Sequence, residues 1–157
     1  MPSWGQIEAE APELAARARE MFDAYTHKTL ATIRRDGSPR ISGTEIQFAD
    51  GEVWFGSMWK ALKALDLERD PRFAIHSGST DPPEWKGDAK IAGRIEEITD
   101  SERKEALWGH ESPPGEAHLF RADITELVIT SLGGEPPDHL VIESWHEGRG
   151  VNRRERR

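Results

Sequence analysis

The chain has 157 residues, with 21 Lys and Arg against 29 Asp and Glu, a net charge of −8 and no cysteine. That length suits one domain with a real hydrophobic core. The acidic balance argues against a general binder of nucleic acid or anionic membrane, and the missing thiols exclude disulfides, thiolate metal sites, cysteine nucleophiles and cysteine-held iron–sulfur clusters.

Pro12 suits the first turn of a helix, and Leu14, Ala18, Met21, Phe22 and Tyr25 follow on one side at helical spacing. KTLATIRR (28–35), PRISGTEIQFA (39–49) and EVWFGS (52–57) then alternate as strands around Asp36-Gly37 and Asp50-Gly51, which predicts a three-stranded antiparallel meander. GSMWKALKALDLERDP (56–71) opens a short helix with Trp59, Leu62 and Leu65 on one face, and Asp70-Pro71 ends it. RFAIHS (72–77) is a strand, and GSTDPPEWKG (78–87) is a loop. DAKIAGRIEEI (88–98) follows, with Ala89, Ile91, Gly93 and Ile95 on one face and Gly93 marking a bulge or bend.

Thr99 and Glu102 have capping-box spacing ahead of a helix reaching about Trp108. A loop at 109–118, a strand at 119–132, a turn at 133–139 and a last strand at 140–148 complete the pattern. Roughly seven strands and three helices, mostly joined as hairpins, predict an α+β fold built on an antiparallel, barrel-like sheet. One domain over 1–157 with a short basic tail at 149–157 is expected. The acidic N-terminus is unlike a signal peptide, and no apolar run approaches the ~20 residues of a membrane span, so a soluble, unprocessed, cytoplasmic protein is expected.

Phosphate-loop, GxGxxG, Gly-x-Ser-x-Gly and His-Glu-x-x-His patterns are absent. His27, His76, His110, His118, His139 and His146 have no metal-ligand spacing, so no metal site is expected. Two stretches carry positive signals. Lys60 and Lys63 stand near a helix N-terminus, where cations oppose the macrodipole unless water screens them or an anion is held there. With Ser57 at or near the N-cap, its hydroxyl and the free first-turn amides would converge on one point, and Lys60 or Lys63 would close over an anion such as phosphate. In PRISGTEI, Arg40, Ser42 and Thr44 alternate on one face and Gly43 permits close approach of a flat ligand; the same alternation also describes a solvent face.

The order of these elements, with a Lys-bearing helix ending in LERDPRFAIH, resembles the flavin-binding split-barrel family of pyridoxamine 5′-phosphate oxidases and deazaflavin-dependent oxidoreductases, chiefly over Thr29 to Glu97. The resemblance implies a split β-barrel with Greek-key order, and a homodimer whose cofactor sites lie at the subunit interface. In the family a Ser-Arg-Lys-Ala run binds the flavin phosphate. Lys63-Ala64 match its Lys-Ala pair, Ser57 falls near the hydroxyl-bearing phosphate contact, and Ala61 and Leu62 stand where Ser and Arg are usual, with Lys60 available to replace the lost charge. Arg40, Ser42 and Thr44 lie on the strand that runs beside the ring system. VIESWHEGRGVNRRERR is similar to the family's closing segment, Trp145 matching by position and Arg149 and Arg153 by type. The tail otherwise reads as a mobile basic end and Trp145 as a core or interface aromatic. Of the other tryptophans, Trp4, Trp54, Trp59, Trp85 and Trp108, only Trp59 and Trp85 are candidates for ligand contact.

The function implied is an FMN- or deazaflavin (F420)-dependent oxidoreductase that transfers hydride to or from a small, conjugated or aromatic substrate. No catalytic acid or base is nominated. The alternatives are a non-catalytic flavin, deazaflavin or haem carrier on the same scaffold, and a structural dimer whose basic tail engages an acidic partner.

Overall fold

The structure, a computed structural model, describes residues 3–108 and 117–157, with Trp108 by its backbone alone. His110 and the expected loop as far as residue 116 lie outside the described residues. Two helices open the chain, α1 (Trp4–Glu10) and α2 (Pro12–Asp23). The sequence reading has no α1; Ser3 caps it, its Oγ accepting from the Gln6 amide at 3.1 Å, and Trp4 and Ile7 are its buried residues. α2 buries Leu14, Ala15, Ala18 and Phe22, while Tyr25 lies beyond its end and is exposed.

Nine strands among the described residues form one antiparallel sheet. They are β1 (Lys28–Ile33), β2 (Pro39–Thr44), β3 (Gln47–Ala49), β4 (Glu52–Met58), β5 (Arg72–His76), β6 (Asp88–Glu97), β7 (Ala117–Gly133), β8 (His139–His146) and β9 (Gly150–Arg156). α3 (Leu62–Arg69) joins β4 to β5, and α4 (Ser101–Trp108) follows β6. The strands run in the order β2-β1-β5-β6-β7-β4-β3, with the β8–β9 hairpin attached to β7. β7 is the hub: β6 lines one of its edges, β4 pairs with its first part, and β8 pairs with its last part. The open sheet is consistent with a split barrel, and the expected α+β class is observed.

The predicted meander is not. PRISGTEIQFA breaks at Glu45-Ile46 into β2 and β3, which sit at opposite ends of the strand order, so two hairpins replace three consecutive strands. Side-chain alternation specifies the two faces of a strand and not its neighbours.

The bulge falls where expected, at the Ala92/Gly93 register shift between β6 and β7. A Cβ on Gly93 would collide with the Asp123 carbonyl oxygen, so glycine is required by the approach of the opposite strand. α4 is capped by Asp100 rather than Thr99, the Asp100 carboxylate accepting from the Glu102 amide at 3.0 Å. The basic tail is a strand: β9 pairs with β8 from Leu140↔Arg156 to His146↔Gly150.

The core lies between the inner face of the sheet and the two N-terminal helices. Leu30, Phe55, Phe73, Ile75, Ile91, Phe120, Leu127 and Trp145 are buried there, with Phe55 tilted against Phe73 and Phe120 at centroid distances of 6.0 and 5.4 Å. Full burial of a large apolar side chain contributes roughly 1.5–3 kcal/mol. α3 buries Ala64, Asp66 and Leu67, not the predicted face: Trp59, Leu62 and Leu65 are 49%, 60% and 39% exposed. No helix among the described residues is long and apolar enough to cross a membrane.

Candidate cofactor cleft between the second strand and third helix

Arg40, Ser42 and Thr44 share one face of β2, opposite Thr32, Leu30 and Lys28 of β1. Leu30 belongs to the core, so this face turns inward, toward α3. Asp66 of α3 is the anchor. Only 3% exposed, it accepts from Arg40 Nε at 2.7 Å, Thr32 Oγ1 at 2.8 Å and an Arg69 guanidinium nitrogen at 3.0 Å. Burial alone would raise its pKa; the hydrogen bonds from Arg40, Thr32 and Arg69 outweigh this and hold the carboxyl below the usual carboxylate range.

Lys63, one turn earlier on α3, donates Nζ–H to the Gly43 carbonyl at 2.8 Å. Partial burial lowers its pKa. The helix therefore leans on the strand at two points, Asp66 to Arg40 and Lys63 to Gly43. Lys63, Arg40, Ser42 and Thr44 lie along the seam where α3 leans on β2, the candidate cleft, although the Thr44 hydroxyl is buried and directed at the Glu45 carbonyl. The Cα of Gly43 faces open space, with nothing within 4 Å of where a Cβ would stand.

The entry to α3 differs from the prediction. Ser57 does not reach the N-cap: β4 continues through Met58, Ser57 is buried, and its Oγ donates to the Met58 carbonyl at 3.2 Å. A turn from Met58 to Ala61 intervenes, closed by the Ala61 amide on the Met58 carbonyl at 3.1 Å. Lys60 is its third residue and lies in the left-handed region at φ 59°, so it precedes the helix instead of riding on it. Ala61 is the N-cap and offers no side-chain acceptor to the first-turn amides. That leaves a helix start with no side-chain cap, beside Lys63.

Three residues missed by the sequence reading meet beside this turn. His118 of β7, 3% exposed, stacks on Trp59 at 4.7 Å and on Phe120 at 5.9 Å. Its Nε2 accepts from the Lys60 amide at 3.1 Å, and its Nδ1 lies 2.7 Å from Glu97 Oε1. Glu68 of α3 completes the cluster, the ligating atoms of Glu68, Glu97 and His118 all lying within 4.8 Å of one another. Burial and the adjacent Glu97 carboxylate raise the pKa of Glu68, with His118 opposing. Both imidazole nitrogens of His118 are engaged by protein. These residues come from three separate elements and have no common spacing in sequence. A tight turn ahead of a buried histidine was the available signal, and it is too weak to find them.

Trp145 and Arg149 do not join the cleft. Trp145 points into the core, 1% exposed, its Nε1 donating to Glu10 of α1 at 3.2 Å. Arg149 is exposed in the β8–β9 turn. It borders a groove of about 740 Å³ on the outer side of the sheet, with Lys90, Glu126, Ser144, His146 and Arg154. Between β8 and β2 stand β7, β6, β5 and β1. Within one chain the two sets of predicted residues stay apart.

The family model for pyridoxamine 5′-phosphate oxidase matches residues 14–131, about three quarters of the chain. The chain belongs to the pyridoxamine 5′-phosphate oxidase family. Among solved structures it is similar to a pyridoxamine 5′-phosphate oxidase-related, FMN-binding protein from Nostoc punctiforme, with 17% identity, a TM-score of 0.63 and 96% of each chain covered. A heme-binding protein from Mycobacterium smegmatis matches with 15% identity and a TM-score of 0.59, over 91% of this chain and 87% of its own. An F420 reductase matches with 18% identity and a TM-score of 0.53, over 69% of this chain and 94% of its own. No curated protein matches the sequence significantly.

The donors of this pyridoxamine 5′-phosphate oxidase family member suit an anionic group at the α3 end of the cleft. Lys63 supplies an ammonium with spare N–H groups, the uncapped helix supplies amides, and Lys60 adds charge from the turn. Arg40 is partly neutralised by Asp66, so it contributes position more than net charge.

Proposed function

We propose that the chain binds FMN, or a deazaflavin of the F420 type, in the β2–α3 cleft and acts as an oxidoreductase on a small conjugated or aromatic substrate. The observation that carries this reading is the Lys63 Nζ bond to Gly43, which brings the cationic, uncapped start of α3 against the polar face of β2. Lys63 and the first-turn amides would hold the cofactor phosphate, while Ser42 and Arg40 would orient the ring system along the inward face of β2. The flavin supplies hydride acceptance and donation. The chain's own part is to bind, orient and shield it.

A second copy is part of the proposal. Ile41, Met58, Trp59, Leu62 and Leu65 form exposed apolar surface around the cleft, in a chain whose mean hydropathy is −0.71. Pairing through that surface would cover it and would let Arg149 of one protomer approach the cleft of its partner. A non-catalytic carrier is favoured by one observation: the Ser57 hydroxyl is buried and turned to the Met58 carbonyl, so it is not offered as a proton donor in the cleft.

The test is the visible spectrum of freshly purified protein, mass analysis of whatever denaturation releases, and anaerobic addition of a nicotinamide donor. A flavin or deazaflavin spectrum that bleaches with donor and returns with an electron acceptor supports the oxidoreductase. A bound cofactor that never turns over supports the carrier. A colourless protein that ignores added FMN, F420 and haem overturns both.

A further inference from the structure

We infer that His118 is a positioning residue that latches the Met58–Ala61 turn through the Lys60 amide. The consequence for the cofactor rests on the reading of the cleft given above; the latch itself does not.

Lys60 adopts a left-handed conformation that a side chain with a Cβ disfavours. Something must hold it there. The Lys60 amide donates to His118 Nε2 at 3.1 Å, and the turn is closed by the Ala61 amide on Met58. An imidazole that accepts at Nε2 carries its proton on Nδ1, which is the atom facing Glu97 Oε1 at 2.7 Å. The ring is fixed between Trp59 and Phe120, so it cannot rotate away without unstacking. His118 thus converts the orientation of Glu97 into the position of the turn, and hence of Lys60 and the first residues of α3.

Elements other than β7 help hold the ring in that role. Glu97 comes from β6, and Glu68 of α3 stands beside it. Lys104 of α4 places its ammonium on the Ala117 carbonyl, at the residue before His118, and Ser57 of β4 is paired with His118 in register. Without an acceptor at Nε2 the Lys60 amide loses its partner, and its left-handed conformation is no longer compensated.

The experiment is amide hydrogen exchange across residues 58–63 at a single pH, corrected for intrinsic rates, in wild type, His118→Gln and His118→Phe. Gln keeps a side-chain acceptor, and Phe keeps the stacking without one. The expected result is about tenfold faster exchange in His118→Phe than in wild type, the scale of one lost hydrogen bond, with His118→Gln as protected as wild type. A Phe variant as protected as wild type, or a Gln variant as fast as Phe, overturns the latch. As a second readout, His118→Phe should weaken FMN about tenfold and leave riboflavin nearly unchanged; equal loss overturns the positioning role. Hydrogen exchange needs no cofactor, so a protein that binds no flavin would sink the cleft reading while the latch is judged on its own data.

Discussion

Replacing Lys63 by Ala tests the phosphate assignment residue by residue. In the structure Nζ is partly buried and commits one of its three N–H groups to the Gly43 carbonyl at 2.8 Å, leaving two for a ligand. A hydrogen bond to a charged partner contributes about 1.5–3 kcal/mol, so losing it should weaken FMN by roughly 10–150-fold. Riboflavin carries the same ring without phosphate, and its affinity should change by less than about twofold on the same reasoning. The lowered pKa of Lys63 adds a pH signature. Its cation is lost earlier on raising pH than that of an ordinary lysine, so FMN affinity should decline toward alkaline pH in wild type, and that decline should vanish in Lys63→Ala. Flavin fluorescence quenching or titration calorimetry reads all four combinations. Equal weakening of FMN and riboflavin would refute the reasoning, because the side chain would then be supporting β2 through Gly43 and not binding phosphate.

Asp66→Asn should destabilise the fold by about 3 kcal/mol in urea unfolding, at the low end for a broken buried pair because water reaches Arg40 and Arg69. Since the folded-state pKa of Asp66 is depressed, its stabilisation is present above the unfolded carboxylate pKa of about 4 and is lost as pH falls through the folded value. Unfolding midpoints of wild type and Asp66→Asn should therefore converge in acid. Gly93→Ala should lower stability by about 1–3 kcal/mol, read as a drop in Tm, because its Cβ meets the Asp123 carbonyl; an unchanged Tm would contradict the close approach. Trp145→Phe should lower stability through the lost Glu10 bond and core volume, and leave FMN affinity unchanged.

Where the sequence was legible, a local rule was decisive. Asp36-Gly37 and Asp50-Gly51 marked two hairpins because those turns demand such residues, and Gly93 marked a bulge because only glycine fits against Asp123. The helical period located α2 for the same kind of reason. What was missed depends on partners distant in sequence. Nothing in PRISGTEIQFA says that its two halves pair at opposite ends of the sheet. Trp59, Leu62 and Leu65 are the most apolar face of the α3 segment, yet α3 buries Ala64, Leu67 and a carboxylate whose three donors come partly from β1 and β2. β9 is exposed at every residue, so its strand character left no alternation to read. In the site, the resemblance implied that Lys63 and β2 serve one cofactor, and the Lys63 bond to Gly43 brings the two segments together. The departures of Ser57 and Trp145 are matters of where a strand ends and which way it faces.

The central claim is that a phosphorylated, planar redox cofactor docks with its phosphate at the start of α3. A crystal structure of the protein grown with FMN tests it most directly. The account predicts the phosphate within about 3 Å of Lys63 Nζ and the first-turn amides, with the ring lying along Arg40 and Ser42. A flavin bound instead in the groove beside Arg149 and Arg154, or a cleft closed by the protein's own side chains, would contradict it.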